Sequence, residues 1–255
     1  MALQTDCGED NAAMGTSGAS RWPWDFPQRD AAGMGQTLQT VLGDTEAALL
    51  RSAAQLRTSG REDRARQVER LAGWARFDLD EPVVAQELYE AAARLRYIRR
   101  VESLADQMLE QMLSLARADR GNVQLADPAS GALTIIAQHG FDAEFLDHFT
   151  VVDDDRSACG RAARHGTQLV ITDVSIDPGF EPHREIAAAA GFRAVQSTPL
   201  ADKMGRVIGV VSTHYPYPYA PPDQDLRIIK RYADLVGQVL AARLSALAPD
   251  ESSTA

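Results

Sequence analysis

Four polar side chains on two apolar segments offer the clearest chemistry in this 255-residue chain. Gln196 and Thr198 alternate within Ala194–Leu200, and Ser212 and His214 alternate within Val207–His214. Both segments have the texture of strands, and alternation sets each pair on one face of its strand. If the two faces coincide, four hydrogen-bonding groups line one patch of sheet and orient a ligand. If they do not, the hydroxyls bond to backbone at the edge of a helix-covered face. Phe141, Phe180 and Phe192 wall such a pocket or serve as plain core. His183 and Arg184 open a short helix after the loop Asp177–Pro182, where helix N–H groups and a guanidinium suit a carboxylate or phosphate. The alternative is that Arg184 pairs with Asp173, Asp177 or Glu181 and pins the loop. Cys159 lies near the start of the helix Ala158–His165, a position that lowers a thiol pKa. Asp153, Asp154 and Asp155 just before it oppose that effect, and a small, inert, buried cysteine is the alternative.

Other chemistries lack their residues. The five histidines, at 139, 148, 165, 183 and 214, form no i, i+4 pair, and no Cys/His spacing suggests zinc, so no metal is expected. Asp153–Asp155 reads as a solvated loop rather than a cation site. No serine–histidine–acid set and no phosphate-cradling glycine loop stands out, so no catalytic residue and no cofactor is assigned. The chain is expected not to be an enzyme, with thiol redox chemistry at Cys159 as the alternative. Cys7 and Cys159 are the only cysteines and lie far apart in sequence, which does not support a disulfide framework.

Net charge is −10, and 45% of residues are hydrophobic. An acidic chain without a basic block is a poor match for nucleic acid or an anionic membrane. The N-terminus lacks the basic and apolar regions of a signal peptide, and runs such as Leu133–Ala137 and Val207–Val211 are too short to span a bilayer. A cytoplasmic protein is the expectation. Of 26 basic residues only Lys203 and Lys230 are lysine, a bias that reflects a GC-rich genome more than phosphate binding.

The elements that would position these residues follow from periodicity. Residues 1–33 read as a disordered tail interrupted by Arg21-Trp22-Pro23-Trp24-Asp25-Phe26-Pro27, either a docking motif or a staple onto the body. Residues 34–99 form a helical N-terminal region, with one helix ending near Gly60 and another from Arg61 to Phe77. Arg61, Arg64, Arg66 and Arg70 interleave with Glu62, Asp63 and Glu69, which makes a salt-bridged face rather than a basic patch. Asp80 reads as a cap and Pro82 as the first turn of a helix running to about Ala118. Its stripe Leu88, Ala92, Leu95, Ile98, Val101, Leu104, Met108, Met112, Leu115 is either a bundle or coiled-coil seam or an intrachain buried face. Strands are expected at Asn122–Ala126, Leu133–Gln138, Leu169–Thr172, Ala194–Leu200 and Val207–His214. Short helices fall at Ala143–Phe149, Ala158–His165 and His183–Ala190, and a long one at Asp223–Leu247. Helices, mostly antiparallel strands, then a helix make an α+β fold. Residues 248–255 are a polar tail.

Gly121–Leu125, Ala137–Phe141, Ser157–Gly160, Asp173, Asp177-Pro178, Phe180, Pro182–Arg184, Ala190–Leu200 and Gly209–His214 together resemble a GAF domain, of the subgroup often found before bacterial histidine-kinase regions. The resemblance implies a central antiparallel sheet spanning residues 100–247 with its flanking helices. It implies a small-molecule pocket on one face and dimerisation through the flanking helices on the other. The residues themselves put forward Phe141, Cys159, Asp173, Phe180, His183, Arg184, Phe192, Gln196, Thr198, Ser212 and His214 as candidates to line that pocket. Ligand signatures of better-understood branches are missing: no cyclic-nucleotide motif, no bilin-type Cys-His pair, and too few cysteines for a free-methionine-sulfoxide reductase. Only polar residues are read after Leu247, so no output domain is expected on this chain. The functional expectation is a cytoplasmic homodimeric sensor that binds an unknown small molecule and reports to a separate kinase or regulator, with residues 34–118 as the partner surface. A ligand-free interaction or scaffold protein is the remaining alternative.

Overall fold

The computed structural model describes residues 35–247. The tails expected at 1–33 and 248–255, Cys7 and the Trp-Pro-Trp stretch lie outside the described residues. Among the described residues eight helices and five strands follow in the order α1 (Gly35–Thr58), α2 (Glu62–Asp80), α3 (Pro82–Leu95), α4 (Val101–Ala116), β1 (Arg120–Ala126), β2 (Leu133–His139), α5 (Ala143–His148), α6 (Ala158–His165), β3 (Leu169–Ile171), α7 (Arg184–Ala189), β4 (Ala194–Ala201), β5 (Val207–Tyr215) and α8 (Asp223–Leu247). A single turn of 3-10 helix, Glu181–His183, leads into α7.

The strands make one antiparallel sheet in the order β2-β1-β5-β4-β3. Helices α4 and α8 cover one face. Their buried stripes, Leu104, Met108, Met112 and Leu115 on α4 and Ile229, Tyr232, Val236 and Leu240 on α8, repeat at three-four spacing. α8 approaches β4 at Gly237, where an added Cβ would lie 2.8 Å from both the nitrogen and the oxygen of Ala201. The other face carries α5, α6 and α7 over a cluster built from Phe141, Phe145, Phe149, Phe180 and Phe192 with Val195 and Val210 of the sheet. α5 starts on Asp142, whose carboxylate accepts from the Phe145 N–H at 3.0 Å. α6 starts on Ser157, whose hydroxyl accepts from the Gly160 N–H at 3.2 Å, and stops at Gly166 in the left-handed region (φ 63°).

Two sequence expectations need correction. The helix expected from Pro82 to about Ala118 is two helices, α3 and α4, parted at Arg96–Arg100. No glycine or proline marks the break. Both pieces pack on α8, and Arg243 of α8 donates to the Arg96 carbonyl at 3.1 Å, which satisfies a free end of α3. Asp80 caps nothing: it is the last residue of α2 and accepts from Arg76 at 2.8 Å, while Glu81 precedes Pro82. Of the alternatives for the apolar stripe, the structure takes the intrachain one, with Leu88, Ala92, Leu95, Leu104, Met108, Met112 and Leu115 all buried.

The helical region is tied to α8 by polar contacts. Arg231, only 3% exposed, is held by Asp78 at 3.2 Å and by the Tyr89 hydroxyl, with its guanidinium over the rings of Trp74 and Tyr89. The Trp74 indole N–H donates to Asp234 at 2.9 Å.

Gly237→Ala separates helix propensity from packing. In an exposed helix the change adds about 1 kcal/mol of stability. Here the new methyl meets the β4 backbone, and a net loss of about 1–3 kcal/mol is expected instead. Urea unfolding followed by far-UV circular dichroism measures the sign.

Candidate functional site

The register of the central strands builds the site. Asn122 pairs with Ser212, and Ser212 with Ser197, so three polar side chains form one row across β1, β5 and β4. The Ser197 and Ser212 hydroxyls hydrogen-bond at 2.8 Å. One step along, His214 pairs with Val195. These groups, with Gln124, Ser157, Cys159, Phe145, Phe149, Phe180 and Phe192, enclose a cavity of about 20 Å³. That volume holds about one water.

Three atoms at this cavity are buried without a hydrogen-bond partner: Asn122 Oδ1, Gln124 Oε1 and His214 Nδ1. Each unmade bond costs about 1–3 kcal/mol. Among the described residues no Asp, Glu, Lys or Arg lines the cavity. Burial lowers the His214 pKa to about 3, helped by the nearby positive charge of Arg120, so the imidazole is neutral at physiological pH. Burial likewise pushes the Cys159 thiol up, against the hydrogen-bonding influence of Ser157, Gly160 and Gln124. The helix-start position of Cys159 therefore does not make it a thiolate, because desolvation of the charged form outweighs the N-terminal N–H groups.

The aromatic side chains fill the rest of the space. Phe141 stacks on Phe145 with centroids 3.7 Å apart, and the His214 ring meets Phe141 and Phe192 edge-on at 4.9 and 4.7 Å.

Of the residues expected at a ligand, Cys159, Phe180, Phe192, Ser212 and His214 line the cavity, and Phe141 stands behind Phe145. Gln196 and Thr198 do not join Ser212 and His214. The register sets Gln196 opposite Thr213 and Thr198 opposite Val211, on the face covered by helices, where Thr198 accepts from Gln168 at 3.1 Å. Asp173 is engaged by Arg193 at 2.6 Å and lies away from the cavity. Its carboxyl is held far below the usual range, first by that guanidinium and then by Ser175. Arg184 donates to the Asp177 carbonyl at 2.9 Å, the loop-pinning alternative with a backbone oxygen in place of a carboxylate. His183 Nδ1 lies 2.9 Å from His148 Nε2, and its own ring is buried between Phe149 and Phe180. One oxygen of the Asp154 carboxylate accepts from the N–H groups of Ser157 and Arg156 at 2.7 and 2.8 Å, and the other lies 3.7 Å from His183 Nε2.

Asn122, Gln124, Ser157 and Ser197 are the polar lining residues that sequence reasoning passed over, and Phe145 and Phe149 the aromatic ones. A signal for the first two existed: Asn122 and Gln124 alternate with Val123 and Leu125 in a strand already recognised. Ser197 carried none, because it reads as the odd residue between Gln196 and Thr198.

The family-level comparison agrees with this geometry. A model of the GAF domain matches residues 100–240, more than half of the chain, and the chain belongs to that family. Among curated proteins, a methyl sulfide methyltransferase-associated sensor of Methanosarcina acetivorans is 29% identical over 86 residues, 34% of this chain and 9% of that protein. Among solved structures, the GAF domain of a phosphoenolpyruvate-protein phosphotransferase from Coxiella burnetii is similar with a TM-score of 0.54 and 12% identity, over 64% of this chain and 96% of that one. A free methionine-R-sulfoxide reductase from Neisseria meningitidis has a TM-score of 0.52 and 19% identity, over 63% of this chain and 89% of that one. At such identities the structural likeness is one of fold.

The His214 environment makes stability depend on pH. The folded pKa lies below the ordinary value, so the unfolded chain binds the proton first, and stability falls as pH drops from about 6.5 toward 3. The slope from this group is at most about 1.4 kcal/mol per pH unit. Urea unfolding at several pH values measures it, and His214→Asn is expected to flatten the slope.

Proposed function

We propose that this GAF-domain protein is a sensor that takes up a small, uncharged molecule at the cavity over β1, β5 and β4. One observation carries the reading. Three unpartnered polar atoms, Asn122 Oδ1, Gln124 Oε1 and His214 Nδ1, belong to residues lining one cavity, which is walled by phenylalanines and has no charged side chain among its described lining. Polar groups of this kind fix a ligand's orientation while aromatic walls supply contact area. An ionised ligand would be desolvated with no countercharge, at a penalty of several kcal/mol. The carboxylate- or phosphate-binding role weighed for His183 and Arg184 is therefore not favoured.

The cavity is too small for a metabolite while the rings are packed as they are, so uptake requires the Phe141–Phe145–Phe149 side chains to move. These belong to the six-residue α5 and its flanks, a short element secured by few backbone bonds. Ligand and rings compete for one space, which makes sensing a shift between a closed and an open population. The route outward is short. Tyr215, next to His214 in β5, donates its hydroxyl to the Ala116 carbonyl at the end of α4, 3.1 Å away. A change at His214 thereby reaches a flanking helix, and a separate partner would read the helices. A homodimer stays part of the proposal. Its seam cannot be the Leu104–Leu115 stripe, which the chain's own core uses, but Tyr97 and Leu247 are 87% and 62% exposed near the α3–α8 contact. A sensory role accords with family membership and with the sensor named among its relatives.

A thermal-shift screen of small neutral and small ionised metabolites tests the reading. At a hundredfold excess over Kd a ligand adds about 2.7 kcal/mol, equivalent to a Tm rise of about 5–10 °C at this size. Hits are expected among neutral compounds only, and Gln124→Leu with His214→Leu is expected to abolish the shift without unfolding the protein. Hits confined to anions would contradict the proposal.

A further inference from the structure

A second concavity, unconnected with the aromatic cavity, lies between the helical region and the sheet domain. It is an open groove of about 1160 Å³ bordered by α1, α2, the first half of α8 and the turns 165–167 and 204–206. Its lining runs against the charge of the chain. Seven cationic side chains face five acidic ones, in a protein whose net charge is −10. Ion pairs account for five of the seven: Arg66 with Asp63, Arg76 with Asp80, Arg206 with Asp202, Lys230 with Asp234 and Arg231 with Asp78. Arg70 and Arg227 form no ion pair among the described residues. Arg70 instead donates to the Lys203 carbonyl at 3.1 Å. Behind them Arg231 is buried, with its Nη1 lacking a hydrogen-bond partner.

The groove is also apolar where water reaches it. Leu50 and Met204 on its border are 47% and 53% exposed, and the half-buried Trp74 lies between them and α8. A small polyanion would satisfy the guanidinium groups and leave these side chains in water. The volume exceeds the roughly 300–1,000 Å³ usual for small-molecule pockets. Exposed apolar groups beside unpaired cations, in a groove walled by helices, match an amphipathic helix with acidic flanks.

We propose that this groove docks an acidic amphipathic segment of a separate partner protein, with apolar residues on Leu50, Trp74 and Met204 and carboxylates on Arg70 and Arg227. This rests on the relay reading above and gives it a location: the segment would touch α2 and α8 together, the two helices joined by Trp74–Asp234 and Arg231–Asp78. Any ligand-driven movement of α8 relative to α2 would change the groove's width.

The test uses the full chain and two fluorescein-labelled peptides of roughly 16 residues. Both carry leucines at helical spacing, one with Glu at the polar positions and one with Lys. Fluorescence anisotropy is expected to show saturable binding of the Glu peptide, at least about tenfold tighter than the Lys peptide. That binding should weaken at least about tenfold between about 0.05 and 0.5 M NaCl. The double variant Arg70→Glu with Arg227→Glu is expected to exchange the preference and bind the Lys peptide more tightly. A variant that had merely lost its fold would lose both. The proposal is overturned by absence of saturable Glu-peptide binding, by a charge-reversed protein with unchanged preference, or by tripolyphosphate displacing the peptide at equal concentration of charge. No small molecule is needed, so failure here leaves the cavity screen standing, and failure of that screen leaves peptide binding intact.

Discussion

β5 is hydrogen-bonded to β1 on one side and β4 on the other, and this double register is the constraint on which the rest of the protein depends. It aligns Asn122, Ser212 and Ser197 in one transverse row and brings His214 level with Val195. A slip of β5 by one residue would turn Ser212 and His214 toward α4 and α8, bring Thr213 and Val211 to the phenylalanines, and leave Asn122 and Ser197 without their partner in the row. Burial on both faces specifies the register tightly. Close contacts reinforce it: a Cβ on Gly209 would collide with the Gln124 carbonyl, and one on Gly121 would lie 2.7 Å from the Ser212 carbonyl. The strands can therefore approach only where these two residues lack side chains.

The face that carries the cavity is uncharged but not apolar. Polar groups are retained there despite unmade hydrogen bonds, where Val or Leu would pack without that penalty. The neutral His214 and the protonated Cys159 thiol extend the same character. Such an interior is poor at acid–base or thiolate chemistry, both of which need a group poised near neutral pH. It is suited to holding a neutral partner by direction and shape. Phe141 stacked on Phe145, and Phe149 tilted against Phe145, fill the space beside these polar groups.

Much of the scaffold was legible in the sequence because its signals are local. Ser157 and Gly166 bound α6, Pro222 and Asp223 open α8, and the glycine-containing turns separate strands of unmistakable alternation. The site was legible only in part. Alternation shows which residues of one strand share a face, but the offset between strands is set by pairing. Ser212 therefore found Ser197 rather than Gln196 or Thr198 across the ladder. The division of α3 from α4 was invisible for a related reason: residues 96–100 favour a helix well enough, and the break is imposed by packing on α8. Likewise no local pattern marks Arg231, which is buried between Trp74 and Tyr89, residues more than 140 positions away in sequence.

The helical region and the sheet domain meet along α8, whose one face covers β4 and whose other face holds Trp74 and Asp78 through Asp234 and Arg231. In the relay proposed above, this shared helix would carry a displacement at the sheet to the extension, and the cavity's occupant is what would cause it. Native mass spectrometry of the freshly purified full chain addresses that occupant directly. The account predicts a discrete added mass of a small neutral molecule, released on denaturation and missing from the His214→Leu protein. A native particle whose mass is that of the bare polypeptide or a whole multiple of it, in wild type and variant alike, would contradict the account.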